Sequence, residues 1–236
     1  MIDDELDRYV ANYTDFNDWL ISRRYELLKA HFAGSTCLEL GPATGQGTAF
    51  LLDHFSSVVA VDGSQKVVDD LSQRFDGRSL AVVKSYFEDL DLGRTFDTVV
   101  LAHILEHVDD PQAVLAVARR HLAPGGVMII DVPNGMSLHR QIGAEMGLLS
   151  AVTDLHEGDL SIGHRRVYTP DTFRSEVERG GLAIDHFGGV FIKVLSNAQT
   201  QATFSDDQLR ALLTVGERYP EIAAEMYVVA TLPVAH

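Results

Sequence analysis

The chain has 236 residues, with 19 lysines and arginines against 34 aspartates and glutamates and a net charge of −15. That length suits one α/β domain with a sizeable core rather than two domains and a linker, and so acidic a chain offers no basic stripe to a phosphate backbone, which excludes nucleic acid as an expected partner. The single cysteine, Cys37, excludes an intrachain disulfide and reads as a small buried hydrophobe in a reducing compartment, while no apolar run approaches the ~20 residues of a membrane helix; the acidic N-terminus has no apolar leader, so a soluble, cytoplasmic protein with no membrane partner is expected.

Leu20, Ile21, Leu27, Leu28 and Phe32 recur at near-helical spacing over residues 17–33 and stop at Gly34, which predicts an amphipathic helix leading into the first strand. From there strands and helices alternate: strand 35–40, helix 46–54, strand 57–62, helix 65–75, strand 79–84 and strand 96–102. Asp110 is placed to cap a helix over 111–122, with Pro111 at its first position, and the strand 126–132 follows Pro124-Gly125-Gly126. Residues 135–163 break the rhythm, with five glycines and no sustained period, so 135–165 is expected to be an inserted lid. Thr169-Pro170-Asp171 opens another helix ending at Gly180-Gly181, and strand 182–187, helix 205–218 and strand 225–232 complete the chain. This order predicts a doubly wound, mostly parallel, seven-stranded sheet in one domain, with residues 1–33 as a helical cap.

Residues 37–47, Cys-Leu-Glu-Leu-Gly-Pro-Ala-Thr-Gly-Gln-Gly, followed by Val58-Val59-Ala60-Val61-Asp62, form a strand, a glycine-bearing turn, a helix and a second strand ending in an acid. Such a unit grips a nucleoside. Gly41 and Gly45 let the backbone turn sharply against a ligand, and Asp62 is placed to accept hydrogen bonds from two ribose hydroxyls. The third glycine of a dinucleotide turn is replaced by Gln46, and Glu39 would repel a pyrophosphate but accept a hydrogen bond from an ammonium group. A dehydrogenase is therefore the less favoured rival.

Glu39-Leu-Gly-Pro-Ala-Thr-Gly45 resembles the Asp/Glu-x-Gly-x-Gly-x-Gly loop of class I S-adenosylmethionine-dependent methyltransferases. Phe96-Asp-Thr-Val-Val100 and Leu105-Glu-His-Val108 look like their fourth strand and following turn, and Pro124-Gly-Gly126, Pro133-Asn134 and His164-Arg-Arg-Val-Tyr-Thr-Pro170 are similar to the small-molecule branch that includes quinone-biosynthesis enzymes. Ala43 departs from the pattern, standing where the middle glycine is usual. The resemblance implies a Rossmann-like methyltransferase fold, S-adenosylmethionine as cofactor and a small-molecule acceptor, methylated at oxygen or, as the alternative, at the nitrogen of an amino sugar or peptide amine. It places the cofactor against Glu39, Gly41, Ala43, Gly45, Asp62, Gly63, Ser64 and Ala102, with Phe87 covering adenine and Glu88 reading its amine.

His103 and His107 lie four apart, so on a helical turn both rings point the same way. A metal pair is one reading, but the stretch has neither H-E-x-x-H nor an obvious third ligand, so no metal is expected. The resemblance instead turns Glu106 and His107 toward the acceptor, and an imidazole pKa near 6.5 suits His107, and less so His103, as the base that removes an acceptor proton. His164, Arg165, Arg166 and Lys193 are candidates to hold an anionic acceptor, because guanidinium forks match carboxylate oxygens; a structural role for the same segment competes. Tyr9, Tyr13, Trp19, Arg23 and Arg24 would cap cofactor or acceptor from the N-terminal helix. The oligomeric state, a homodimer included, is left open.

Overall fold

A computed structural model describes residues 2–11 and 13–233. Seven strands form one sheet in the order β3-β2-β1-β4-β5-β7-β6, comprising β1 (Thr36–Leu40), β2 (Ser57–Asp62), β3 (Leu80–Lys84), β4 (Phe96–Ala102), β5 (Leu122–Pro133), β6 (Ala183–Val190) and β7 (Glu225–Thr231). The first five run parallel, and β7 enters antiparallel between β5 and β6. The helices are α1 (Ile2–Ala11), α2 (Asp15–Leu28), α3 (Gln46–Leu52), α4 (Gln65–Arg74), α5 (Pro111–Arg120), α6 (Leu138–Glu145), α7 (Glu157–Ser161), α8 (Pro170–Arg179), α9 (Asn197–Thr203) and α10 (Asp206–Arg218).

The central strands carry near-continuous apolar runs because parallel strands are covered on both faces. Val58 to Val61 of β2 and Val99 to Leu101 of β4 are all buried: Val59, Val61, Val99 and Leu101 join Leu38, Leu40, Leu105, Leu115, Phe173 and Met226 in one core cluster, while Val58 and Val100 pack into a second and Ala60 into a third on the other face. Each such Leu or Phe contributes about 1.5–3 kcal/mol on leaving water. Asp110 caps α5 by accepting from the Gln112 and Ala113 amides, and Thr169 caps α8 ahead of Pro170, as their positions in the sequence predict. Among the described residues no helix is long and apolar enough to cross a membrane.

Two expectations need correction. The helix expected over 111–122 ends at Arg120, and β5 begins at Leu122 and continues through Pro124-Gly125-Gly126: Leu122 pairs with Phe96 and Val127 with Thr98, so the strand takes up the extra residues as a bulge at Gly125, whose φ is +77°. The stretch 135–163, expected to lack periodicity, contains α6 and α7, short helices whose boundaries the glycines at 147 and 163 mark in left-handed conformation. From β1 the chain winds outward to β3 and then returns to β4 on β1's other side. The crevice beyond the strand tips at this reversal is where such sheets bind ligands.

Candidate functional site

A cavity of about 770 Å³ opens at that reversal, over the C-terminal ends of β1, β2, β4 and β5. Its nucleoside end is built by the turn after β1. Gly41 and Ala43 take φ of +71° and +46°, and a Cβ on Gly41 would stand 2.1 Å from the Ile104 Cδ1 atom. Ala43 holds this conformation at a cost of about 1–2 kcal/mol. Asp62 ends β2 and accepts from the Ser64 amide at 2.8 Å and from the Ala43 and Gly63 backbone, while burial pushes its carboxyl above the usual range. Glu39, Gly41, Ala43, Asp62, Gly63, Ser64, Phe87, Glu88 and Ala102 all line the cavity.

Gly45 does not. It starts α3 with φ +72° beneath α4, and an added Cβ would lie 2.4 Å from Leu71 Cδ2 and 1.9 Å from an Arg74 nitrogen, so its role there is to let two elements pack. Glu39 is buried and accepts from the Thr48 hydroxyl at 2.6 Å and the Tyr25 hydroxyl at 3.2 Å. Burial raises its pKa to about 7 despite both bonds.

Deeper in, four charged groups from distant parts of the chain meet. Arg24 of α2 grips Glu225 of β7 through two hydrogen bonds of 2.9 and 3.0 Å and stands 3.7 Å from Asp131 of β5. His103, just past β4, has φ +55°, and its Nε2 lies 3.4 Å from Asp131 and 3.5 Å from Glu225. Burial and Arg24 depress the His103 pKa, but the two carboxylates outweigh them and the net shift is upward. Burial also drives Asp131 up, whereas in Glu225 the upward push of burial is overcome by Arg24 and His103, leaving it low. Arg24 Nε and Glu225 are 201 residues apart in sequence, so no local pattern announces the pair.

His107 lines the same cavity, its ring 4.7 Å from that of His164 and nearly perpendicular to it. Burial first, then His164 and His103, lowers its pKa to about 3. Burial beside two other imidazoles thus disfavours the protonated ring and weakens it as a proton acceptor. Glu106 is turned away from the large cavity into a small one beside Arg166 and Tyr168.

Of the four residues expected to hold an anionic acceptor, Arg165 and Arg166 are committed elsewhere, as is Tyr13 of the expected N-terminal cap. Arg166 donates to the carbonyls of Leu105, Val108 and Asp109 and lies outside the large cavity, fastening the turn after β4. Arg165 lines the cavity but donates to the His107 carbonyl and pairs with Asp109 at 2.6 Å. The Tyr13 hydroxyl donates to Asp18, and Tyr13 is not among the lining residues. His164 does face the cavity, with Nδ1 3.5 Å from Asp159. The Tyr9 side chain lies outside the described residues.

The acceptor end combines Lys193, which the sequence offered as an anion-holding candidate, with polar residues it did not single out. Lys193, His139, His156 and Asn197 line it. Burial lowers the Lys193 pKa, and burial with Lys193 and Arg140 takes His139 to about 3. His139 Nδ1 and Asn197 Oδ1 are buried with no hydrogen-bond partner. The four come from α6, the cap of α7, α9 and the loop after β6, elements whose positions only the folded chain reveals.

The profile of the family described as "Methyltransferase domain" matches residues 13–186. A ubiquinone biosynthesis O-methyltransferase of Paramagnetospirillum magneticum is 27% identical over 184 residues, 74% of this chain and 70% of that one. Other curated relatives are matched over less than two thirds of their length: 32% of an uncharacterized 37.1 kDa protein in a Streptomyces fradiae transposon and 60% of a Methanocaldococcus jannaschii protein. Among solved structures, N-methyltransferase NodS of Bradyrhizobium japonicum, in complex with S-adenosylhomocysteine, superposes with a TM-score of 0.62 at 15% identity, over 98% of this chain and 96% of that one. The glycopeptide N-methyltransferase MtfA, complexed with S-adenosylmethionine, gives 0.61 at 17% over 91% and 94%.

Proposed function

The chain belongs to the methyltransferase-domain family, and on that footing we propose that it transfers the methyl group of S-adenosylmethionine to an oxygen of a small-molecule acceptor. The observation that carries this reading is one continuous cavity joining a nucleoside end, at Glu39, Gly41 and Asp62, to a polar end at His103, His139 and Lys193. Asp62 holds the ribose, Glu39 takes the ammonium group, and Phe87 with Glu88 takes the adenine edge.

Methyl transfer from a sulfonium is an in-line displacement. An acceptor oxygen forms the new bond to carbon, the carbon–sulfur bond breaks with its electron pair going to sulfur, and S-adenosylhomocysteine leaves. The donor's positive charge is lost, so alignment and exclusion of water do most of the work. A hydroxyl acceptor must also give up its proton. His103 is the base we favour over His107: it lines the cavity, and the Asp131 and Glu225 carboxylates 3.4 and 3.5 Å from its Nε2 stabilise the imidazolium that would form. Lys193 supplies positive charge for an anionic group on the acceptor.

NodS and MtfA are named as N-methyltransferases, and an amine acceptor is the competing reading. Incubating the protein with methyl-labelled S-adenosylmethionine and metabolite extracts is expected to yield a labelled small molecule whose fragmentation puts the methyl on oxygen. Label on nitrogen would move the assignment to an amine, and label confined to protein or nucleic acid would overturn the small-molecule reading.

A further inference from the structure

We infer that Glu106, His107 and His164 form a binding site for one divalent first-row transition ion. Sequence spacing supplies no third ligand for a histidine pair, but the fold brings His164 up from the segment after α7, and one potential ligand atom from each of the three residues lies within 4.8 Å of the other two. Ligands about 2.1 Å from a tetrahedral ion stand about 3.4 Å from one another, so each pair has to close by at most about 1.4 Å to complete the set.

The state of Glu106 is the first argument. Its side chain is 1% exposed, and neither carboxylate oxygen has a hydrogen-bond partner. A buried carboxylate left in that condition is costly, and buried charges are ordinarily paired or on a metal. Its neighbours are imidazoles, including His103 with Nδ1 3.4 Å from Oε1.

The second argument is how the two histidines are held. A ligating imidazole usually has its other ring nitrogen fixed by a carboxylate or a carbonyl, which sets tautomer and orientation. His164 Nδ1 lies 3.5 Å from Asp159 Oδ1, and Asp159 is anchored by Arg140 at 3.1 Å. His107 is hydrogen-bonded to the Gly163 backbone. Each ring is thus braced from outside the triad.

Two imidazoles and one carboxylate suit a transition ion, whereas calcium and magnesium prefer oxygen ligands alone. Three protein ligands also leave coordination positions open. Because His107 and His164 line the large cavity, an ion there would offer an open position to an oxygen of the acceptor. That use of the ion rests on the methyltransferase reading; its binding does not.

The test is titration of Co²⁺ into protein dialysed against EDTA, followed by visible absorption and by ring-proton NMR, with S-adenosylhomocysteine affinity measured on the same samples. The site predicts one equivalent bound, displaced by Zn²⁺, with paramagnetic shifts on two histidine rings of the wild-type protein. Glu106→Gln and His164→Asn should each weaken cobalt binding by at least about 10-fold, and Asp159→Asn by about 10–100-fold. Cobalt bound without S-adenosylhomocysteine would uphold the site and overturn the cofactor reading instead. Normal S-adenosylhomocysteine affinity with no saturable cobalt, or cobalt binding without histidine shifts, would overturn the site and leave Glu106 as a protonated, metal-free acid.

Discussion

Burial holds the Glu39 carboxyl near pH 7, with Thr48 and Tyr25 already donating to it. Its ordinary value is 4.5, so between those values the folded protein binds more protons at this site than the unfolded chain. Glu39 therefore contributes stability that is fully present below about 4.5 and is lost as pH rises through 7. An ammonium group placed against it would favour the charged form and pull the proton off. Calorimetry of S-adenosylmethionine binding at pH 6.5, in buffers of different ionisation enthalpy, should show proton release that disappears in Glu39→Gln; equal release from both proteins would remove Glu39 from the ammonium site. Asp62 and Glu39 were legible in the sequence because a strand end and its turn are local. For Arg166 the sequence left an anion-holding and a structural role side by side for the opposite reason: a guanidinium serves carbonyls as readily as carboxylates, and nothing in His164-Arg-Arg reveals that the Leu105 and Asp109 carbonyls are its partners.

At the scale of elements, the sequence found α2 and its place beside the site but not the partners of Arg24. Of the apolar residues in the pattern Leu20 and Leu28 are buried and Ile21 and Leu27 half-buried, and the same helix carries Arg24 into the Asp131 and Glu225 carboxylates. Removing one partner of a buried ion pair leaves the others uncompensated and costs about 3–5 kcal/mol. Arg24→Met should lower stability by that amount in urea unfolding, and Arg24→Met combined with Glu225→Leu should recover part of it; a loss under about 1 kcal/mol would show that the cluster is hydrated and weakly coupled. The helices α6, α7 and α9 were not legible because they are short and take their positions from contacts with remote segments. Arg140 of α6, for example, reaches the Val152 carbonyl and Asp159.

Over the whole molecule, the alternation of strands and helices carried the fold. The apolar runs of β1, β2 and β4, with capping residues ahead of α5 and α8, were enough to place seven strands, because each local preference agrees with the sheet that forms. The motifs placed a nucleoside at the turn after β1 and the end of β2 with the N-terminal helix as a cap, but the rest of the facing wall is drawn from α6, α9 and β7, which no local pattern brings there. The crevice itself is open to direct measurement by isothermal calorimetry with S-adenosylhomocysteine and with NADH, on wild-type protein and on Asp62→Ala. The expected result is a single S-adenosylhomocysteine site, weakened by about 1–3 kcal/mol in Asp62→Ala through lost charge-assisted hydrogen bonds, and no heat from NADH. Binding of NADH alone, or S-adenosylhomocysteine affinity untouched by the substitution, would contradict it.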